Sequence, residues 1–114
     1  MSHPAHIRRK VYEKYNGHCA YCGCELQISK FDVDHFLPDR QNNRIENLMP
    51  SCRECNLFKS DLSIEDFRMM IRGLPLKMFR ENANIRFLSK YSLVIAPRVK
   101  VVFHYETVQN QRKT

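Results

Sequence analysis

Cys19-Ala20-Tyr21-Cys22 and Cys52-Arg53-Glu54-Cys55 are two cysteine pairs of matching spacing, and between them stand Phe31-Asp32-Val33-Asp34-His35-Phe36 and Glu46-Asn47-Leu48. Each pair offers two sulfurs from one short turn, so two such knuckles meeting in space supply the four thiolates of a tetrahedral zinc site. The competing reading is a set of disulfides or unrelated buried thiols. The odd count of five cysteines, and the lack of an apolar signal-like run in Met1 to Lys10, favour the metal. Cys24 and His18 are the alternative ligands. A half-buried free thiol is the expected fate of Cys24, and a structural or surface role that of His18, as of His3, His6 and His104.

Outward from the knuckles, Pro4 to Tyr15 reads as a helix with Ile7, Val11, Tyr12 and Tyr15 on one side, stopped by Asn16-Gly17. Phe31 to Phe36 alternates like a short strand, and Leu48 to Pro50 is its returning partner. The turn between them holds Asn42-Asn43, residues that tolerate positive φ. Cys52 to Ser60 reads as a short helix with Ser51 placed to cap it. Ser63 begins another helix that Gly73-Leu74-Pro75 ends, and a further one runs from about Pro75 to Tyr91. Val99 to Tyr105 is β-branched and aromatic and reads as a strand, and Gln109 to Thr114 as a frayed tail.

The chain has 114 residues, enough for one small domain, and a formal charge of +7. No run of about 18 apolar residues is present, which excludes a membrane-spanning helix. The charge is unevenly divided. Residues 1–67 hold nine Lys or Arg against ten Asp or Glu, a net −1, and residues 68–114 hold ten against two, a net +8. That excess points to a polyanionic partner, with Arg68 and Arg72 the leading candidates for backbone contact, ahead of Lys77, Arg80, Arg86, Lys90, Arg98 and Lys100. For each of these a solubilising helix face is the alternative.

The order Asp34-His35, Asn47, Asn56 set between two zinc knuckles resembles the HNH endonuclease family over roughly residues 15–67. The resemblance implies an α+β fold, a small ββα-metal core with two zinc knuckles, flanked by an N-terminal helix and by C-terminal helices plus a strand. One HNH nuclease domain then fills residues 1–114, with the motif core at about 15–67 and a basic extension over 68–114. Asn56 stands where many members have His. The target-strand nuclease domain of the RNA-guided CRISPR enzymes resembles this version, with Asp-Val-Asp-His and an Asn followed three residues on by a Lys, here Lys59. The loop from His35 to Asn47 is shorter than the common family form.

Cutting a phosphodiester needs a deprotonated water, a cation by the leaving oxygen, and donors that hold the phosphate in line. The resemblance implies that His35 is the general base, that Asp34 and Asn56 hold a catalytic Mg²⁺ or Mn²⁺, and that Asn47 orients His35. Cys19, Cys22, Cys52 and Cys55 would hold a structural Zn²⁺, and Lys59, one helical turn beyond Asn56, could neutralise a phosphate oxygen. Asp32 and Asp39 receive no task. Because the base must be neutral, activity is expected to fall below about pH 6.5, the ordinary histidine value. The function implied is hydrolysis of DNA to 5′-phosphate and 3′-hydroxyl ends. The expected setting is the cytoplasm of a bacterial or phage-infected cell, with no membrane partner or organic cofactor, as a monomer or homodimer. The alternatives are a non-catalytic zinc module that only binds nucleic acid, which leaves Asp34, His35, Asn47 and Asn56 unexplained, and a purely structural interaction domain.

Overall fold

Helix α1, Ala5–Glu13, follows Pro4, whose missing N–H costs nothing ahead of a helix. Val11 is its buried residue, with Ile7 and Tyr12 packed beside it. Asn16 and Gly17 then take φ of 54° and 79°, which turns the chain away from the helix. A Cβ on Gly17 would stand 2.7 Å from the Tyr12 hydroxyl, so only glycine fits. The structure, a computed structural model, describes residues 3–94 and 100–113. Arg98, Val99 and Thr114 of the expectations above lie outside them.

Strand β1, Asp32–His35, pairs antiparallel with β2, Leu48–Ser51, and Asp34 stands opposite Met49 and His35 opposite Leu48. Pro50 is tolerated in β2 because a two-stranded sheet leaves an edge on each strand. Its carbonyl accepts the Ala20 N–H at 2.9 Å, which ties the first knuckle to the sheet. Helix α2, Arg53–Lys59, follows at once and completes the ββα unit. Cys52, rather than Ser51, is its cap: the Cys52 sulfur accepts the Cys55 N–H at 3.4 Å, while the Ser51 hydroxyl donates to the Cys52 carbonyl.

Val11, Phe31 and Leu48 form the centre of the hydrophobic core. The Arg8 guanidinium lies 4.2 Å over the Phe31 ring and donates to its carbonyl. Lys14 Nζ donates to the Ile45 and Leu48 carbonyls at 2.9 and 2.7 Å, fastening the end of α1 to the start of β2. A second, aromatic cluster joins Tyr21 of the first knuckle to Phe103, with Tyr105 between Tyr21 and Phe36 in edge-on contacts.

Three expectations about the later chain are corrected. Helix α3, Ile64–Glu81, runs on through Gly73-Leu74-Pro75. Pro75 removes one N–H and crowds the carbonyl four residues back, but the helix formers around it carry the chain across. The break comes at Asn82, whose side chain accepts from the Asn84 and Ile85 N–H groups and caps α4, Ala83–Ser89. The expected last strand is absent among the described residues: 100–103 is irregular, and helix α5 occupies His104–Lys113, including most of the supposed frayed tail. Its first N–H groups explain the helix. Those of His104 and Tyr105 donate to the carbonyls of Tyr21 and Ala20 at 3.0 and 2.7 Å, and the Glu106 carboxylate accepts from the Phe103 N–H at 2.9 Å.

The chain divides into two compact units, one from the residues before Glu65 together with those from Val102 onward, the other Glu65–Val101. No helix among the described residues is long and apolar enough to cross a membrane.

Candidate active site

The sulfurs of Cys19, Cys22, Cys52 and Cys55 all lie within 4.8 Å of one another. Cys22 and Cys52 are 3.8 Å apart, which is about the edge of a tetrahedron whose sulfurs stand ~2.3 Å from a zinc ion. The donor set therefore fits zinc. Cys19 is fully buried, and Cys55 beside it, through hydrogen bonding that outweighs burial, holds Cys19 down to about 4. The same contact pushes the Cys55 thiol up. Cys24 and His18 stay outside the cluster; Cys24 is exposed rather than half-buried, and His18 Nδ1 bonds to the Asn16 carbonyl.

Asp34, His35 and Asn56 come together in the lining of one open cleft of about 340 Å³, with Arg40 and Asp61 also in its wall. The strand delivers the first two, and the helix that starts at the second knuckle delivers Asn56. Asp34 is 4% exposed. Its Oδ2 accepts from the Tyr21 hydroxyl at 2.5 Å and from Lys59 Nζ at 3.0 Å. Burial pushes the Asp34 carboxyl up, and the Tyr21 hydroxyl and Lys59 ammonium work against that rise. Tyr21 is itself raised, by burial first and then by the Asp34 charge, so it stays a protonated donor.

Asn56 Nδ2 donates to Asp32 Oδ2 at 2.9 Å, and Arg53 approaches the same oxygen at 3.2 Å. Asp32 thus has a task that the sequence left blank. By accepting from the Asn56 amide nitrogen it holds that end of the side chain, and the amide oxygen is not engaged by Asp32. A carboxylate and an amide carbonyl lining the same cleft are the hard oxygen donors that suit Mg²⁺ or Mn²⁺.

His35 Nε2 bonds to Asn43 Oδ1 at 2.8 Å. Neither Asn42 nor Asn43 takes a positive φ, contrary to the reading of them as left-handed turn residues. They act through side chains: Asn42 Oδ1 accepts the Arg44 N–H at 3.3 Å, and Asn43 reaches the imidazole. Asn47 is buried and holds the same loop. Its Oδ1 accepts the Leu37 N–H at 2.7 Å, and its Nδ2 donates to the carbonyls of Leu37 and Asn42. It therefore orients the His35 loop without touching the ring. His3, for which a structural or surface role is expected, places its ring 6.1 Å from that of His35, and burial, followed by the like charge of His35, lowers its pKa.

Lys59 is corrected. Its ammonium is fully buried, bonded to Asp34 and to the His35 carbonyl at 3.0 Å, and so is closed to a phosphate. Arg68 is also committed, with its guanidinium bound to the Val101 carbonyl and to Glu65. Arg72 is exposed. The cation in the cleft wall is instead Arg40, which meets Asp61 at 3.4 Å in a largely exposed pair. No periodicity marks Arg40, Asn43 or Tyr21; only the fold brings them to the site.

Residues 19–62 match the HNH endonuclease family, a stretch that contains both knuckles, Asp34, His35, Asn47 and Asn56. A CRISPR-associated endonuclease Cas9 of Corynebacterium diphtheriae is 33% identical over 57 residues, 47% of this chain and 5% of that protein. The crystal structure of the Type II-C Cas9 enzyme from Actinomyces naeslundii superposes with a TM-score of 0.54 at 28% identity, over 60% of this chain and 8% of that one. The chain thus spans less than a tenth of either relative's length.

Proposed function

We propose, from the premise that residues 19–62 are an HNH endonuclease segment, that this chain is a metal-dependent endonuclease hydrolysing DNA phosphodiester bonds. The observation that carries the proposal is the convergence of Asp34, His35 and Asn56 on one open cleft. Asn43 Oδ1 can only accept, so His35 carries its proton on Nε2 and keeps the Nδ1 lone pair for a water. Nδ1 takes the water's proton as the water oxygen attacks phosphorus in line, the P–O3′ bond breaks, the departing O3′ takes a proton from solvent, and the products are a 5′-phosphate and a 3′-hydroxyl. Asp34 and Asn56 would hold Mg²⁺ or Mn²⁺, which when bound supplies positive charge for the leaving oxygen. Arg40 exchanges its solvated partner Asp61 for a phosphate, an exchange that costs little because exposed ion pairs are weak. The four-cysteine cluster would hold a structural Zn²⁺ that fixes the start of α2, and hence Asn56, relative to the hairpin. Arg72 remains a candidate for flanking backbone contact.

The test is plasmid cleavage with Mg²⁺ or Mn²⁺ by the zinc-loaded wild type and by His35→Ala. Wild type is expected to cut, and His35→Ala to bind DNA equally and cut at least about a hundred-fold more slowly, the usual worth of a positioned base. Binding without cleavage under either ion would show a nucleic-acid-binding zinc module instead.

A further inference from the structure

Tyr21 lies inside the first cysteine knuckle, between Cys19 and Cys22, yet its hydroxyl ends on the carboxylate across the site. Its backbone is held twice: the N–H lies 3.4 Å from Cys19 Sγ, and the carbonyl accepts the His104 N–H at 3.0 Å. Its ring is 2% exposed and packs edge-on against Phe103 at 5.7 Å. The phenol is therefore a rigid strut whose base is part of the sulfur cluster and whose tip fixes one oxygen of Asp34. Lys59 Nζ takes the same Oδ2 from the helix side. With Oδ2 doubly engaged, Oδ1 is the oxygen without these contacts.

We infer that Tyr21 is a positioning residue for the divalent-cation site, holding Asp34 by Oδ2 so that Oδ1 serves the cation, and that through it the zinc knuckle sets cation affinity. The inference rests on the reading of Asp34 as a cation ligand. Groups that orient a metal-binding carboxylate in this way are worth a large factor in affinity although they never touch the ion.

The experiment measures Mn²⁺ binding to the full zinc-loaded chain by the loss of the free-ion EPR signal, for wild type, Tyr21→Phe and Asp34→Ala. Tyr21→Phe is expected to keep its zinc content and far-UV spectrum while its Mn²⁺ dissociation constant rises about ten-fold, with cleavage restored toward the wild-type rate at saturating Mn²⁺. A Tyr21→Phe affinity equal to that of wild type overturns the inference. If Asp34→Ala also binds as tightly as wild type, the reading of Asp34 as a ligand has failed; if only Asp34→Ala is weakened, the strut alone has failed. The wild type gives a check that does not depend on a variant folding. Mg²⁺ titration is expected to move the Tyr21 ring resonances and leave those of the exposed Tyr91 in place, and an unmoved Tyr21 overturns the inference.

Discussion

A lysine ammonium with no exposure to water persists only because Asp34 Oδ2 and the His35 carbonyl both accept from it. Lys59→Met leaves the Asp34 charge buried without its cation, and breaking a buried pair costs about 3–5 kcal/mol. The pH dependence follows from the direction of the Asp34 shift. A carboxyl raised by burial contributes stability in acid that is lost as pH rises through its folded value, and Lys59 opposes that rise. The Lys59→Met deficit in thermal stability is therefore expected to be largest at neutral pH and to shrink in acid. If Asp34 is the proposed cation ligand it must be ionised to bind, so Mn²⁺ binding by Lys59→Met should be lost at a higher pH than in wild type; an unmoved pH dependence of Mn²⁺ binding would separate Lys59 from the cation site. Asn43→Ala tests the other partner. The side chain is exposed, so the melting temperature should hold while the maximal rate falls about five- to ten-fold, the worth of one hydrogen bond that orients His35. Neither contact was legible in the sequence. An Asn-Asn pair in a turn suggests backbone geometry before side-chain reach, and a lysine one helical turn from Asn56 looks exposed until the packing closes over it.

Among the elements, α1, the β1–β2 hairpin and α2 were readable because each carries its own signal: a helical spacing of apolar residues, a period of two, or a cysteine turn feeding a helix. The signals failed where another part of the chain decides. The β-branched and aromatic run before His104 favours a strand by propensity, but the carbonyls of Ala20 and Tyr21 accept the first N–H groups of α5 and make a helix start there. Those acceptors are remote in sequence. Proline at position 75 marks a helix end by rule, and α3 passes through it at a cost. Pro75→Ala should return an N–H to the Ile71 carbonyl and stabilise α3 by up to about 3 kcal/mol. The measurement is the thermal or urea midpoint followed at 222 nm. A midpoint no higher than wild type would mean that α3 has already accommodated the ring without strain.

For the molecule as a whole, the unit that carries the site has a small hydrophobic centre, Val11, Phe31 and Leu48, and a four-sulfur cluster that can staple it. Zinc held by four cysteines is worth about 10–16 kcal/mol in small folds, against a typical total stability of about 5–15 kcal/mol. Loss of zinc should therefore unfold this unit rather than loosen it. On the proposed metal assignments, mild chelation is expected to stop cleavage first, by removing Mg²⁺ or Mn²⁺, and strong chelation to abolish helical circular dichroism as zinc is released. A Cys19→Ala, Cys52→Ala variant with intact helix content would count against a structural role for the cluster. The two-unit division carries a further consequence. The contacts that finish the site-bearing unit join Ala20 and Tyr21 to His104 and Tyr105. A ribosome releases the knuckles long before it releases those partners. During synthesis the nascent cysteines therefore wait with their aromatic clamp unmade, and the candidate site can mature only after translation has passed Tyr105.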